Sequence, residues 1–200
     1  MRARELAIET AGLAKSFGAL RVLKGIDLRV PIGSVYALLG PNGAGKTTTV
    51  RISATLSRAD EGEVRVAGFD VRRDRGRVRR AISLTGQHVS IDHAQTAEEN
   101  LRMMARLSGI PRGDARRRSQ ELLRIFDLSG HAHRRVAAYS GGMRRRLDFA
   151  ASPVGRPPVV FLDEPTTGLD IPSRLAMWSV IGELAGGGVT IFLTTQYLEE

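Results

Sequence analysis

Cysteine is absent from the 200 residues, and only three lysines occur, Lys15, Lys24 and Lys46. The first absence excludes disulfides, thiol nucleophiles and thiolate metal sites, and it fits a reducing compartment. The second means that arginine carries almost all of the net charge of +9. Such a balance favours anionic partners, although a coding bias toward arginine produces the same composition. Aromatic residues make up only 5% of the chain, and the arginines are spread along it, which argues against a base-stacking nucleic-acid surface. No apolar run approaches the ~18–20 residues that a membrane helix needs. Residues 1–20 carry charge throughout and lack the apolar core of a secretory leader, so export of the chain is not expected. Repeats, linkers and low-complexity tracts are also missing.

What is present is a regular alternation of strand and helix signals. Short strands are expected around Ala7–Thr10, Val22–Val30, Val35–Leu39 and Glu63–Ala67, separated by Gly, Pro and Asp. A helix from about Lys46 to Leu56 follows a glycine-rich loop. From Thr96 to Phe126 the period becomes helical. "TAEENLRMMARLSGI" opens with the capping-box spacing Thr96 to Glu99, and a second helix runs from about Asp114 to Phe126. A helix after Gly142, a strand Pro158–Leu162, a helix Ser173–Ala185 and a strand Val189–Leu193 complete the pattern. Pro153 should stop the helix after Gly142 by Ser152, because inside a helix it costs about 3 kcal/mol. Apolar strands alternating with helices specify an α/β chain with a mostly parallel sheet. The helical middle, about residues 88–145, reads as a lobe inserted into a single 1–200 domain.

"LLGPNGAGKTTTV" fits G-x-x-x-x-G-K-[ST] at Gly40, Gly45, Lys46 and Thr47, between an apolar strand and a helix. Glycines at such a turn let successive N–H groups converge on anionic oxygens, and the helix N-terminus adds its positive end. Gly40, Pro41, Asn42, Gly43, Ala44, Gly45, Lys46, Thr47 and Thr48 are therefore the expected phosphate cradle. Lys46 would meet the β- and γ-phosphates, and the Thr47 hydroxyl would ligate Mg²⁺. A dinucleotide fingerprint fails here, since Thr48 stands where the third glycine belongs. The ligand class is a nucleoside triphosphate.

"PPVVFLDEPTTGLD" sets the reaction class. Four apolar residues lead to Asp163, suited to the Mg²⁺ shell, and to Glu164, suited to orient or deprotonate a water facing the γ-phosphate. No N-K-x-D guanine reader occurs in the sequence. Hydrolysis is expected. In "AYSGGMRRRLDFA", Ser140, Gly141 and Gly142 precede a helix and form a second anion-binding terminus. A second such terminus makes sense if it completes the site of another molecule.

With these stretches the chain resembles the nucleotide-binding subunits of ABC transporters over essentially its whole length. The motifs are "GPNGAGKTT", Gln87 in "SLTGQH", "YSGGM", "VVFLDE" and "GLD". The wording "YSGGMRRRLDFAAS…FLDEPTTGLD…LTTQYLEE" is similar to the antibiotic-exporter branch of the daunorubicin-resistance type. The resemblance implies the P-loop NTPase fold of ABC ATPases, with an N-terminal antiparallel β subdomain and an inserted helical subdomain. It implies ATP and Mg²⁺ as cofactors. Head-to-tail homodimers would sandwich ATP between one P-loop and the partner's Ser140–Gly142 turn. A separate membrane-spanning permease would be the partner, placing the chain peripherally on the cytoplasmic face. By position, Phe17 would stack on adenine, with a core position as the other reading. Gln87 would contact Mg²⁺ or the attacking water, and Asp170 would bridge protomers. Gln196 stands where most of the family has a histidine holding the γ-phosphate. An amide can donate to phosphate but cannot become cationic near neutral pH. The base role therefore falls to Glu164.

Met143 and Tyr139 depart from the family's usual Gln and Leu without touching Ser140 or the glycines. Family members normally continue through further strands and a helical tail, so a C-terminally truncated chain is expected. Two other readings stand beside the transporter subunit. One is a soluble ABC ATPase acting on nucleic acid or the ribosome, for which +9 would help. The interval from Lys46 to Asp163 holds no sustained heptads, and one cassette is present rather than two, which disfavours it; direct nucleic-acid binding is not expected. The other is a non-catalytic remnant, opposed by Lys46 and Glu164. Among the remaining features, His131 and His133 suit a loop better than a metal site. Arg116–Arg118 and Arg144–Arg146 suit solvated helix faces, and Met103–Met104 suit core.

Overall fold

Alternation through "LAIETAGLAKSF" yields a long, half-buried strand, and the rest of an antiparallel sheet assembles around it. The structure is a computed structural model that describes residues 5–85 and 91–196. These divide into two units. The first comprises the described residues through Leu84, with Pro157–Pro165 and those from Leu184 onward; the second comprises Thr85–Arg156 and Thr166–Glu183. The first unit runs β1 (Leu6–Phe17), β2 (Leu20–Pro31), β3 (Val35–Leu39), α1 (Lys46–Ser53), β4 (Glu61–Val66), β5 (Phe69–Asp70), α2 (Arg75–Ala81) and β6 (Ile82–Thr85, the last residue falling to the second unit). It resumes with β7 (Val159–Asp163) and β8 (Thr190–Thr195).

Two four-stranded sheets result, one in the order β2-β1-β4-β5 and one in the order β3-β8-β7-β6. In the first, β1 pairs antiparallel with β2 and β4, and β4 with β5. In the second, β8 lies parallel between β3 and β7, with Val35 opposite Ile191 and Val160 opposite the same residue on the other side. Fully covered strands read as continuous apolar runs, which is what "VVFLD" and "TIFLTT" show: all but Asp163 are buried. Strand β3 differs. It is an edge strand with Val35 and Leu39 exposed.

The two sheets share one apolar cluster that includes Ile8, Leu13, Val30, Ile52, Val66, Phe161 and Phe192. Each such side chain contributes roughly 1.5–3 kcal/mol on leaving water. Tyr36 stacks on Phe192 at 5.5 Å, and Phe161 meets the same ring at 5.7 Å, so the β3, β7 and β8 registers are locked by one aromatic column.

The second unit contains α3 (Ala97–Leu107), α4 (Arg112–Ile125), α5 (Gly141–Ala151) and α6 from Ile171 to Glu183, the helix itself running on to Gly186. Helices α3, α4 and α5 bury Leu101, Ala105, Leu122, Leu123, Phe126 and Leu147. The expected capping box is formed: Glu99 N–H donates to the Thr96 hydroxyl at 3.2 Å, and Thr96 N–H donates to the Glu99 carboxylate at 2.8 Å. Helix α5 ends at Ala151 with Ser152 as its cap, as Pro153 requires.

Several expectations are corrected. Helix α1 stops at Ser53, not Leu56, because Thr55 takes a left-handed φ of 63° and the Leu56 and Ser57 N–H groups both turn back to Arg51. Met103 is exposed and Met104 half-buried, since Leu101 and Ala105 occupy the inward face of α3. Arg118 is no solvated residue. It is buried, donates to the carbonyls of Pro153 and Val154 beyond the end of α5, and pairs with Glu121 at 3.0 Å. Arg144, Arg145 and Arg146 are also half-buried; Arg145 lies over the Phe149 ring at 4.8 Å and Arg146 reaches Asp127. Phe17 is 54% exposed at the tip of the β1–β2 hairpin, with Lys15 at 5.4 Å from its ring, which excludes the core reading.

Candidate nucleotide site

The loop between β3 and α1 curls because its residues permit nothing else. Gly45, the N-cap of α1, has φ 89°, and a Cβ there would come within 2.5 Å of a Leu23 methyl. Only glycine satisfies both demands. The Ala44 N–H donates to the Pro41 carbonyl at 3.2 Å, and the Gly40 N–H donates to the Thr195 carbonyl at 3.3 Å, tying the loop's start to the end of β8. Lys46 is buried, and its ammonium donates to the Gly40 carbonyl at 2.6 Å and the Pro41 carbonyl at 3.1 Å. The cation is thus held inside the curl by the loop's own backbone, where an incoming phosphate can replace those carbonyls as its acceptor.

Opposite the loop stand the two carboxylates at the end of β7. Asp163 accepts from the Thr47 hydroxyl at 3.1 Å and from the Thr194 hydroxyl at 2.6 Å. Thr194 in turn accepts from the Glu164 N–H at 3.0 Å. Glu164 itself has φ 51°, a conformation uncommon for a residue with a side chain. Its carboxylate is 3.9 Å from the Lys46 ammonium. One buried threonine of β8 therefore orients both acids. Thr47 and Asp163 together offer hard oxygen donors, the donor chemistry a Mg²⁺ ion takes.

Gln196 follows Thr195 directly and is half-buried beside the start of the loop. Gln87 lies outside the described residues. The first unit accordingly assembles Gly40–Thr48, Asp163 and Glu164, with Gln196 one residue beyond the Thr195 carbonyl that holds Gly40. Sequence reasoning overlooked Thr194. Its signal was a second polar residue in "FLTTQ", in a strand otherwise built for burial.

The second unit carries the other helix N-terminus singled out in the sequence, at the start of α5. Ser140 caps α5, its hydroxyl accepting from the Met143 N–H at 3.2 Å. Gly141 is exposed, and a Cβ on Gly142 would approach the Ser173 hydroxyl to 3.0 Å. Just before α6, Asp170 is hydrogen-bonded by the Ser173 side chain and by the Ser173 N–H at 3.2 Å, and these bonds, the side-chain one foremost, hold its carboxyl below the ordinary carboxylate value.

This geometry has close counterparts. The family model described as ABC transporter matches residues 23–167. The daunorubicin/doxorubicin resistance ATP-binding protein of Streptomyces peucetius is 53% identical over 97% of this chain and 59% of its own length. The doxorubicin resistance ATP-binding protein of Mycobacterium tuberculosis is 47% identical over 100% of this chain and 61% of its own. The chain thus spans about three-fifths of the length of these curated relatives. Among solved structures, an ATP-binding subunit of an ABC transporter superposes with a TM-score of 0.82 at 29% identity, covering 98% of this chain and 81% of that one. The chain belongs to the ABC transporter family and has the fold of its ATP-binding domains.

Proposed function

We propose that the chain binds and hydrolyses ATP to drive export of a drug-like or amphipathic compound through a separate membrane-spanning permease. The observation that carries the chemistry is the Thr194 bridge, which orders Asp163 and Glu164 in front of a P-loop whose lysine is already buried. Export as the direction, and resistance as the outcome, draw on the names of relatives: two resistance ATP-binding proteins and the Nod factor export ATP-binding protein of Ralstonia nicotianae, the last 38% identical over 96% of this chain.

In this reading the Gly40–Thr48 loop wraps the phosphates, Lys46 moves from the loop carbonyls to the β/γ-phosphates, and Phe17 stacks on adenine. Thr47 and Asp163 would hold Mg²⁺, with Gln87 as a further contact; the ion screens the phosphate charge that builds during transfer. Glu164 accepts the proton of the attacking water, and Gln196 donates its amide to the γ-phosphate as a neutral contact. Ser140, Gly141 and Gly142 of a second copy close over the same ATP, and Asp170 stands at that junction. Residues of about 88–145 form the helical subdomain facing the permease on the cytoplasmic side of the membrane. No described helix is long and apolar enough to cross a membrane.

Glu164→Gln should cut ATP turnover by ~10²–10⁴-fold while leaving ATP affinity intact, and Mg-ATP should convert that variant from monomer to dimer in sedimentation. Gln196→Ala should cost far less. An equal loss of turnover in the two variants would refute the division of labour. Turnover unchanged in Glu164→Gln would refute the hydrolytic reading.

A further inference from the structure

The residue before the Ser140 turn is fixed more firmly than any turn residue needs to be. Tyr139 is 4% exposed. Its hydroxyl donates to the His131 carbonyl at 2.6 Å, its ring meets the His131 ring edge-on at 6.3 Å, and its own carbonyl accepts from Arg144 at 2.9 Å. The His131 carbonyl also accepts from the Arg134 N–H, which closes residues 131–134 into a turn. That turn is pinned to the first turn of α3: the Glu98 N–H donates to the Ala132 carbonyl at 3.1 Å, and His133 meets the buried Glu98 carboxylate at 3.3 Å. A second seam runs beside it, where the Val136 and Ala137 N–H groups donate to the carbonyls of Gln95 and His93.

We propose that Tyr139 is a positioning residue for the second half of the nucleotide site, its hydroxyl anchoring the Ser140–Gly142 turn to the 131–134 turn and through it to α3. The inference rests on the shared-site reading above. Gly141 and Gly142 offer no side chain to hold the start of α5, so the direction in which its N–H groups point depends on what precedes them. Ser140 fixes the inside of the turn through Met143. Tyr139 fixes its outside from the adjacent position, with a rigid ring and two torsions. Burial pushes the phenol above its ordinary value of 10.0, so the group stays a donor throughout the range in which ATP is handled. A leucine at this position could supply apolar packing but has no hydroxyl to donate to the His131 carbonyl.

Tyr139→Phe tests this, because it keeps the ring packing and removes only the hydroxyl. Placed in the Glu164→Gln background, it should weaken Mg-ATP-dependent dimerisation in sedimentation by ~10-fold, equivalent to about 1.4 kcal/mol. ATP affinity of the monomer should remain that of the background protein, and the thermal melting point should fall by no more than about 2–4 °C, the loss of one hydrogen bond. Amide exchange of residues 141–143 in the monomer should quicken several-fold, with α4 amides unchanged. A Tyr139→Phe protein that dimerises as tightly as its background, with unaltered exchange at 141–143, would overturn the proposal. A melting point lowered beyond that, together with uniformly faster exchange across α3 and α4, would equally overturn it, by assigning Tyr139 to general stability. Should the Glu164→Gln background itself never dimerise with Mg-ATP, the shared-site reading fails and this inference falls with it.

Discussion

Replacing Thr194 by valine removes one hydroxyl and nothing else of consequence in volume, yet that hydroxyl serves two partners. It donates to Asp163 at 2.6 Å and accepts from the Glu164 N–H at 3.0 Å, in a residue with 0% exposure. A hydrogen bond to a charged acceptor contributes about 1.5–3 kcal/mol, and an N–H left without an acceptor in the interior costs about 1–3 kcal/mol. Thr47 still donates to the same Asp163 oxygen at 3.1 Å, so the carboxylate is not stranded. A total loss of about 3 kcal/mol is expected for Thr194→Val. In urea this should lower the midpoint by about 1–2 M at unchanged slope. Turnover should fall further than stability alone accounts for, by ~100-fold at temperatures where the variant is fully folded, because the left-handed Glu164 loses the bond that holds its backbone. Thr194→Ser keeps the hydroxyl and should lose only about 1 kcal/mol, with turnover near that of the parent. A Thr194→Val protein with the parental midpoint and turnover within about twofold would refute the claim that this threonine orders both acids.

Gly45→Ala should abolish ATP binding measured with a fluorescent nucleotide, and should destabilise the fold by about 2 kcal/mol or more, since the new methyl meets Leu23 at 2.5 Å and φ is 89°. Asp60 accepts from Lys15 at 2.6 Å and from the Ser16 N–H at 2.7 Å, and these bonds, the Lys15 one foremost, hold its carboxyl below 3.8. Because that value is depressed in the folded protein, its contribution is present above 3.8 and is lost as the pH falls through the folded value. The stability difference between the parent and Asp60→Asn should therefore be constant from neutral pH down to about 5 and shrink below about 4, as followed by denaturation at each pH.

The sequence carried the P-loop and the paired acids because their chemistry depends on local order: a glycine turn, a lysine and a hydroxyl at fixed spacing, and two carboxylates ending an apolar strand. The capping box at Thr96 and the stop at Pro153 were legible for the same reason. Helix α2 was not, since "RGRVRRA" offers only Val78 and Ala81 among four arginines and buries Val78 alone, which leaves no period to detect. Strands β5 and β6 are only two and four residues long, short enough for their pairing to be decided by neighbours rather than by pattern. Arg118 misled because charge predicts exposure only where no buried carbonyls lie within reach, and those of Pro153 and Val154 do. Thr194 and Tyr139 were invisible as site residues because their roles depend on partners that the chain brings together only on folding.

The position of β8 has a kinetic meaning. It lies between β3, which leads into the P-loop, and β7, which ends in the two acids. Strand β3 is synthesised ~150 residues before β8, its partner in that sheet among the described residues, an interval of roughly 8–30 s at ordinary elongation rates. Throughout that time the phosphate loop has no sheet to project from, and Asp163 has no Thr194 to aim it. On the proposed reading, a phosphate loop competent for ATP is therefore completed late, when β8 enters between β3 and β7. For a nascent chain on the ribosome, nucleotide occupancy would serve as a timestamp of completed threading.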